Sequence, residues 1–197
     1  SAIEEGVMTP ETTYNNQGMV TIDGWPIKNA YNGMLGTITM QDALNYSLNT
    51  GSIESLRLLG GGDLNTTGRK KLYDYYVNKF GLGRETGIEV FESLGLISSP
   101  TEGDGRNSLY ANMTFGQNMN VTMIQMISGF SALINGGEWV QPSIIAHNVK
   151  NVNANVNSPL STSSQSTDYQ PTKRRVISEK TSKTMRNMLF VTRRGSR

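Results

Sequence analysis

The sequence predicts an α+β chain whose body is mainly helical. Three observations carry this: apolar residues recur at helical spacing in several windows, short alternating pieces such as Met19–Ile22 read as brief strands, and Gly, Ser or Thr punctuates the changes between them. With 197 residues, 36% apolar and 17% charged, the chain is long enough for one sizeable core and is no charge-rich disordered tail.

Residues 1–6 read as the last turn of a helix whose body precedes Ser1, because helix formers run to Gly6 and Pro10 follows. Residues 12–38, rich in Gly and Asn, predict a long surface loop with brief strands. Thr39 with Asp42 three positions on is a capping signal for a short helix to about Tyr46. Ser47, Leu48 and Asn49 then form a junction before a second helix, in which Ile53, Leu56 and Leu59 share a face until Gly60, Gly61 and Gly62 stop it. Thr66 or Thr67 caps a third helix with a buried stripe of Leu72, Tyr75, Tyr76 and Phe80, ended by Gly81. Residues 83–105 read as loop, with one candidate strand at 87–91. Thr122 begins the clearest helix, with Ile124, Ile127, Phe130, Ser131 and Ile134 on its buried face and Gly136 and Gly137 after it. Strands are expected around Trp139 and over 144–149. Residues 150–172 are so dense in Asn, Ser, Thr and Gln that they cannot bury enough apolar area to offset ordering, which predicts a low-complexity mobile insertion. Ser178 caps a final amphipathic helix through Met185, Met188 and Leu189.

Composition excludes several kinds of chemistry. There is no Cys, hence no disulfide framework or thiolate site, and the single His147, read as a surface or strand residue, rules out a multi-histidine metal centre. No metal or diffusible cofactor is expected. No apolar run approaches a membrane span and the first residues lack a signal peptide, so an anchor is expected outside this sequence. The net charge of +2 rests largely on Lys173, Arg174, Arg175, Arg193, Arg194 and Arg197, without the interleaved aromatics of a nucleic-acid surface. No nucleic-acid partner is expected. Glu4, Glu5 and Asp74 are expected to be solvated charges, and Met123, Met126, Met185 and Met188 to fill core.

Residues 36–60, GTITMQDALNYSLNTGSIESLRLLG, order a helix, a Ser-x-Asn turn and a helix. They resemble the second motif of the penicillin-binding proteins and serine β-lactamases, whose full set is Ser-x-x-Lys, Ser-x-Asn and Lys-Thr-Gly. EEGVMTPETTY resembles the segment after the nucleophile helix in class B penicillin-binding proteins. YVNKFGLGRETGIEV is similar to their KFGFGxxTGI stretch, TFGQNMNVTMIQMISGFSALINGGEWVQPSII to their FGQGxxVTPLQLxxAYxxxANGG region, and RRVISEKTSKTMRNML to the helix before the third motif. These matches run collinearly over almost the whole chain, failing only in the insertion. Phe115-Gly116-Gln117 favours class B over class A enzymes and β-lactamases. Asn118 stands where the family usually has Gly, and Met123 where it often has Pro.

No Lys in the chain has a Ser three positions before it, and Lys-Thr-Gly does not occur. Lys180-Thr181-Ser182 falls in the first turn of an expected helix and is set aside. The resemblance therefore implies a penicillin-binding protein/serine β-lactamase-like transpeptidase fold, mostly its helical subdomain, truncated at both ends: residues 1–197 as part of a transpeptidase domain. By residue type alone, Ser47 ending one helix and Asn49 capping the next explains both residues. The resemblance instead assigns Ser47 as a hydroxyl relay between the catalytic Lys and the leaving amine, and Asn49 as a positioning group for that Lys and a substrate carbonyl. Gln117 is expected to order a loop near the cleft. The implied activity of the intact protein is peptidoglycan D,D-transpeptidation through a serine acyl-enzyme. Stem peptides and β-lactams are the implied ligands, cell-wall synthesis proteins the partners, and the extracytoplasmic face of a bacterial membrane the place. The alternatives are a β-lactam sensor, a catalytically silent scaffold of the same fold, or an unrelated helical binding module using the Leu72 and Tyr76 face.

Overall fold

The computed structural model describes residues 1–31, 33–101, 106–145 and 171–195. It begins with one helical turn that Gly6 closes at φ +70°, a left-handed conformation open to a residue without a side chain. The Gly6 N–H donates to the Ile3 carbonyl at 3.0 Å and the Val7 N–H to that of Ala2 at 3.1 Å, the paired bonds of a Schellman stop. The helix end expected at residues 1–6 is present. Residues 12–38, expected as a surface loop, instead hold most of two ribbons. β1 (Thr13–Asn16) pairs antiparallel with β4 (Gly36–Thr39), and β2 (Met19–Ile22) with β3 (Trp25–Lys28). Tyr14, Ile22, Ile27 and Ile38 are buried, so one face of each ribbon enters the core. Four-residue strands leave an alternating pattern too little length to stand out in sequence.

Thr39 caps α1 (Met40–Asn45) in a reciprocal box with Asp42, as the sequence predicts. α2 (Asn49–Leu59) follows after three residues. α3 (Thr66–Tyr73) is capped by Asn65, not by Thr66 or Thr67: the Asn65 side chain accepts from the Gly68 N–H and also donates to the Gly60 carbonyl, a second bond that neither Thr supplies here. It continues into a π-helical segment, Asp74–Lys79, which widens the turn and buries Tyr75 and Val77. α4 (Arg106–Met113) was not expected. Thr122 and Gln125 form the second capping box, opening α5 (Met123–Ile134). β5 (Glu138–Val140) pairs antiparallel with β6 (Lys173–Arg175), and α6 (Glu179–Gly195) follows. Ser178 Oγ accepts from the Thr181 N–H at 3.1 Å, the cap expected there.

α2 is the centre of the molecule. Leu56 and Leu59 pack with Ala2, Leu72, Tyr110 and Met113, while Ile53 packs with Ile22, Ile27 and Ala111. Each of these aliphatic side chains contributes about 1.5–3 kcal/mol by leaving water. Gly51 lets α2 approach α1, since a Cβ there would lie 2.3 Å from that of Ala43. The α5 expectation is corrected. Its buried residues are Gln125, Ser128, Gly129 and Ala132, whereas Ile127, Phe130 and Ile134 are exposed. The helix packs through small side chains and through Gln125, whose amide bonds the backbone of Gly83, Arg84 and Leu94. The methionine stripe likewise divides: Met188 is buried, but Met123 is 79% exposed and Met126 exposed. No strand forms at 87–91, and Ile144 and Ile145 lie outside any strand. The rest of the 144–149 strand, His147, and nearly all of the 150–172 insertion lie outside the described residues. Among the described residues no helix is long and apolar enough to cross a membrane.

Candidate active site

The end of α1 sets the geometry of the Ser-x-Asn turn. The Ser47 N–H donates to the Leu44 carbonyl at 3.2 Å and the Leu48 N–H to that of Ala43 at 2.9 Å, again the paired bonds of a Schellman stop. Here the residue after the cap is not Gly but Ser47, at φ +52°. A side chain in that conformation costs about 1–2 kcal/mol, so something other than local stability holds a hydroxyl at this corner. Leu48, 2% exposed, anchors the turn by packing with Met40 and Ala43. Asn49 is the first residue of α2 and does not cap it: the N-cap is Leu48, which makes no side-chain cap bond.

The Asn49 amide instead donates to the Lys28 carbonyl of β3 at 2.8 Å. That bond uses one N–H and leaves the second N–H and the amide oxygen available. Directly beneath, Thr50 enters a buried polar network. Asn16 Oδ1 accepts from Thr50 Oγ1 at 2.9 Å, from Asn29 Nδ2 at 3.1 Å and from the Gly18 N–H at 3.0 Å. Asn29 Oδ1 accepts from the Thr50 N–H at 3.0 Å, and the Tyr14 hydroxyl lies 3.1 Å from Thr50 Oγ1. Every member is partnered, so the network rigidifies the start of α2 instead of weakening it. Burial moves the Tyr14 hydroxyl above its ordinary pKa, keeping it a neutral hydrogen-bonding group.

Ser47 and Asn49 open on one groove of about 250 Å³, whose walls are Ile3 and Met8 beside the first turn, Met40 and Leu44 of α1, Phe115, and Met185 and Met188 of α6. The Ser47 hydroxyl makes no hydrogen bond to another described residue. Asn49 and Phe115 also line a second cleft, of about 580 Å³, between the β2–β3 hairpin and the loop after α4. Gln117 lies in that loop, its N–H donating to the Asn112 carbonyl at 3.0 Å, and borders the second cleft. Asn118 follows at φ +56°, which explains a residue where the related sequences have Gly: Asn is among the side chains best suited to that conformation. Met123 is the first residue of α5, the helix position where Pro is favoured.

Other expectations change. Glu4 and Glu5 are not free surface charges. Glu4 accepts from the Ser178 N–H and hydroxyl at 3.0 and 2.8 Å, and Glu5 from the Tyr75 hydroxyl at 2.9 Å with Lys71 3.1 Å away. Burial pushes the Glu4 carboxyl up, but the hydrogen bonds from Thr181 and Ser178 outweigh it, leaving it below the ordinary value; Lys71 and Tyr75 do the same for Glu5. Thr181 and Ser182 are buried in the first turn of α6, with Ser182 bonded to the Leu133 carbonyl, which agrees with setting the Lys180-Thr181-Ser182 run aside. Among the described residues no cluster of His, Asp or Glu could hold a metal. Sequence reasoning missed the Tyr14, Asn16, Asn29 and Thr50 network; its one trace is the Asn-rich run before and after Gly18.

The penicillin-binding protein transpeptidase domain model matches residues 1–196. The chain belongs to that family. Within it, the chain is 27% identical over 96% of its length to penicillin-binding protein PbpB of Mycobacterium tuberculosis, covering 25% of that protein. It is 30% identical over 94% of its length to stage V sporulation protein D of Bacillus subtilis, covering 26%. The chain thus spans about a quarter of these relatives. A crystal structure of Mycobacterium tuberculosis penicillin-binding protein 3 complexed with aztreonam matches 97% of the chain and 38% of its own, at a TM-score of 0.73 and 27% identity. The same protein complexed with ampicillin matches at 0.71. The α+β transpeptidase fold and the class B resemblance are borne out.

Proposed function

We propose that this chain forms the Ser-x-Asn wall of a peptidoglycan D,D-transpeptidase that acts on the extracytoplasmic face of a bacterial membrane and is acylated by β-lactams. The observation that carries the reading is Ser47, held in a left-handed corner where Gly would serve better, with its hydroxyl on the same groove as Asn49. The acylated serine and its lysine base are absent from the sequence, and polypeptide outside the chain supplies them, docking against Ile3, Met40 and Met188 in this groove. Ser47 then relays a proton between that lysine and the departing amine, and Asn49 uses its free N–H and amide oxygen to hold the lysine and a substrate carbonyl in register. Both groups are neutral, so neither changes the charge of the site through the cycle. No acidic side chain lines the groove, which keeps a neighbouring lysine from being held protonated by a carboxylate.

A fluorescent penicillin tests this. The full-length protein is expected to be labelled covalently at a serine outside residues 1–197, and the 197-residue chain to remain unlabelled. Labelling of the isolated chain, or none in the full-length protein, contradicts the reading.

A further inference from the structure

The second cleft is built more carefully than a surface hollow requires. One wall is the β2–β3 hairpin, turned at Asp23 (φ +50°) and Gly24 (φ +82°), the tight turn whose twist suits a hairpin. The Asp23 carboxylate accepts from the Ser108 N–H at 2.8 Å, which pins the hairpin to α4. The hairpin thereby presents Trp25, 69% exposed, on the cleft. A large aromatic left in water on a braced element, beside a cavity of about 580 Å³, is an unfilled contact surface of ligand-site size. Opposite it lie the amide side chains of Asn112, Gln117 and Asn118. Lys28 is the one charged residue among the described residues that line the cleft.

We infer that this cleft binds the glycan strand of peptidoglycan, an N-acetylated pyranose stacking on Trp25 while its acetamido and hydroxyl groups pair with the amides opposite. The inference rests on the transpeptidase reading and adds a subsite to it. A pyranose offers one flat C–H face and a rim of neutral donors and acceptors, which is the complement of an indole facing uncharged amides. An acceptor amine is disfavoured, since it would meet Lys28 and no carboxylate. Asn49 and Phe115 line both cavities, so a stem peptide at Ser47 and Asn49 would lead its attached sugar into this cleft.

The test is calorimetric titration of the full-length protein with chitotetraose and, separately, with a stem pentapeptide. Chitotetraose is expected to bind, Trp25→Ala to weaken it at least tenfold at an unchanged melting temperature, and Trp25→Phe to recover part of the loss. Phe91→Ala, fully exposed and away from the cleft, should leave it unchanged. Equal chitotetraose affinity in Trp25→Ala overturns the inference, as does loss of pentapeptide affinity in its place, which would make this a peptide subsite. Penicillin labelling of the wild-type protein separates the two claims. A labelled protein without a Trp25 effect overturns only the glycan site, whereas absence of labelling overturns the transpeptidase reading.

Discussion

Ser47 is where local stability and proposed chemistry pull apart. Gly would relax the left-handed corner, so Ser47→Gly is expected to raise unfolding free energy by about 1 kcal/mol. In the full-length protein the same change is expected to slow penicillin acylation about a hundredfold or more, the usual scale of a lost proton relay. Chemical denaturation and labelling rates measure the two effects, and a stable variant with undiminished acylation would deprive Ser47 of its role. Asn118 meets the same backbone demand without that conflict: Asn118→Ala should cost about 1 kcal/mol in the same denaturation assay, and Asn118→Gly should be tolerated. At this scale the sequence was legible only in part. The Ser-x-Asn spacing pointed to the pair, but the alternative in which Asn49 caps α2 failed because its amide reaches Lys28, a contact across 21 positions that no local pattern encodes. The three-way acceptor Asn16 was invisible for the same reason.

Elements were readable where their signals are local. Both capping boxes, the Ser178 cap and the Gly stops act within a few residues and appear as expected. The ribbons over 13–39 and α4 were not readable, because their stability comes from distant partners: Tyr110 and Met113 of α4 pack on Leu56 and Leu59 of α2. The buried side of α5 was misread because hydrophobicity reports area removed from water, whereas this helix packs by close approach through Gly129 and Ala132 and by the hydrogen bonds of Gln125. Two substitutions probe these devices. Met123→Pro fits the first position of α5, where Thr122 is already extended at ψ 158°, and should stabilise by about 0.5–1 kcal/mol by restricting the unfolded chain. Gly51→Ala should destabilise by about 1–3 kcal/mol as its Cβ meets that of Ala43. Thermal or urea unfolding of each variant checks the signs.

At the scale of the molecule, the groove is closed at one end by the first helical turn, which Glu4 and Glu5 tie to α6 and to the π-helical segment. Both carboxyls lie below their ordinary value of 4.5 in the folded protein. Each therefore binds its proton more readily when unfolded, so their stabilisation is fully present above that value and is lost as pH falls through the depressed native ones. Melting temperature should fall on acidification from pH 5 to 3, and the fall should be shallower in Glu4→Gln. A slope unchanged by that substitution would remove Glu4 from the account. The central claim is that Ser47 and Asn49 face an acylated serine carried by polypeptide packed in this groove. The most direct measurement is a crystal structure of the full-length protein acylated by a penicillin. The account predicts the acylated serine beside the groove lined by Ile3, Met40 and Met188, with the Ser47 hydroxyl about 3 Å from the base lysine or from the nitrogen of the opened lactam. A serine acylated elsewhere, with the Ser47 hydroxyl in open solvent, would contradict it.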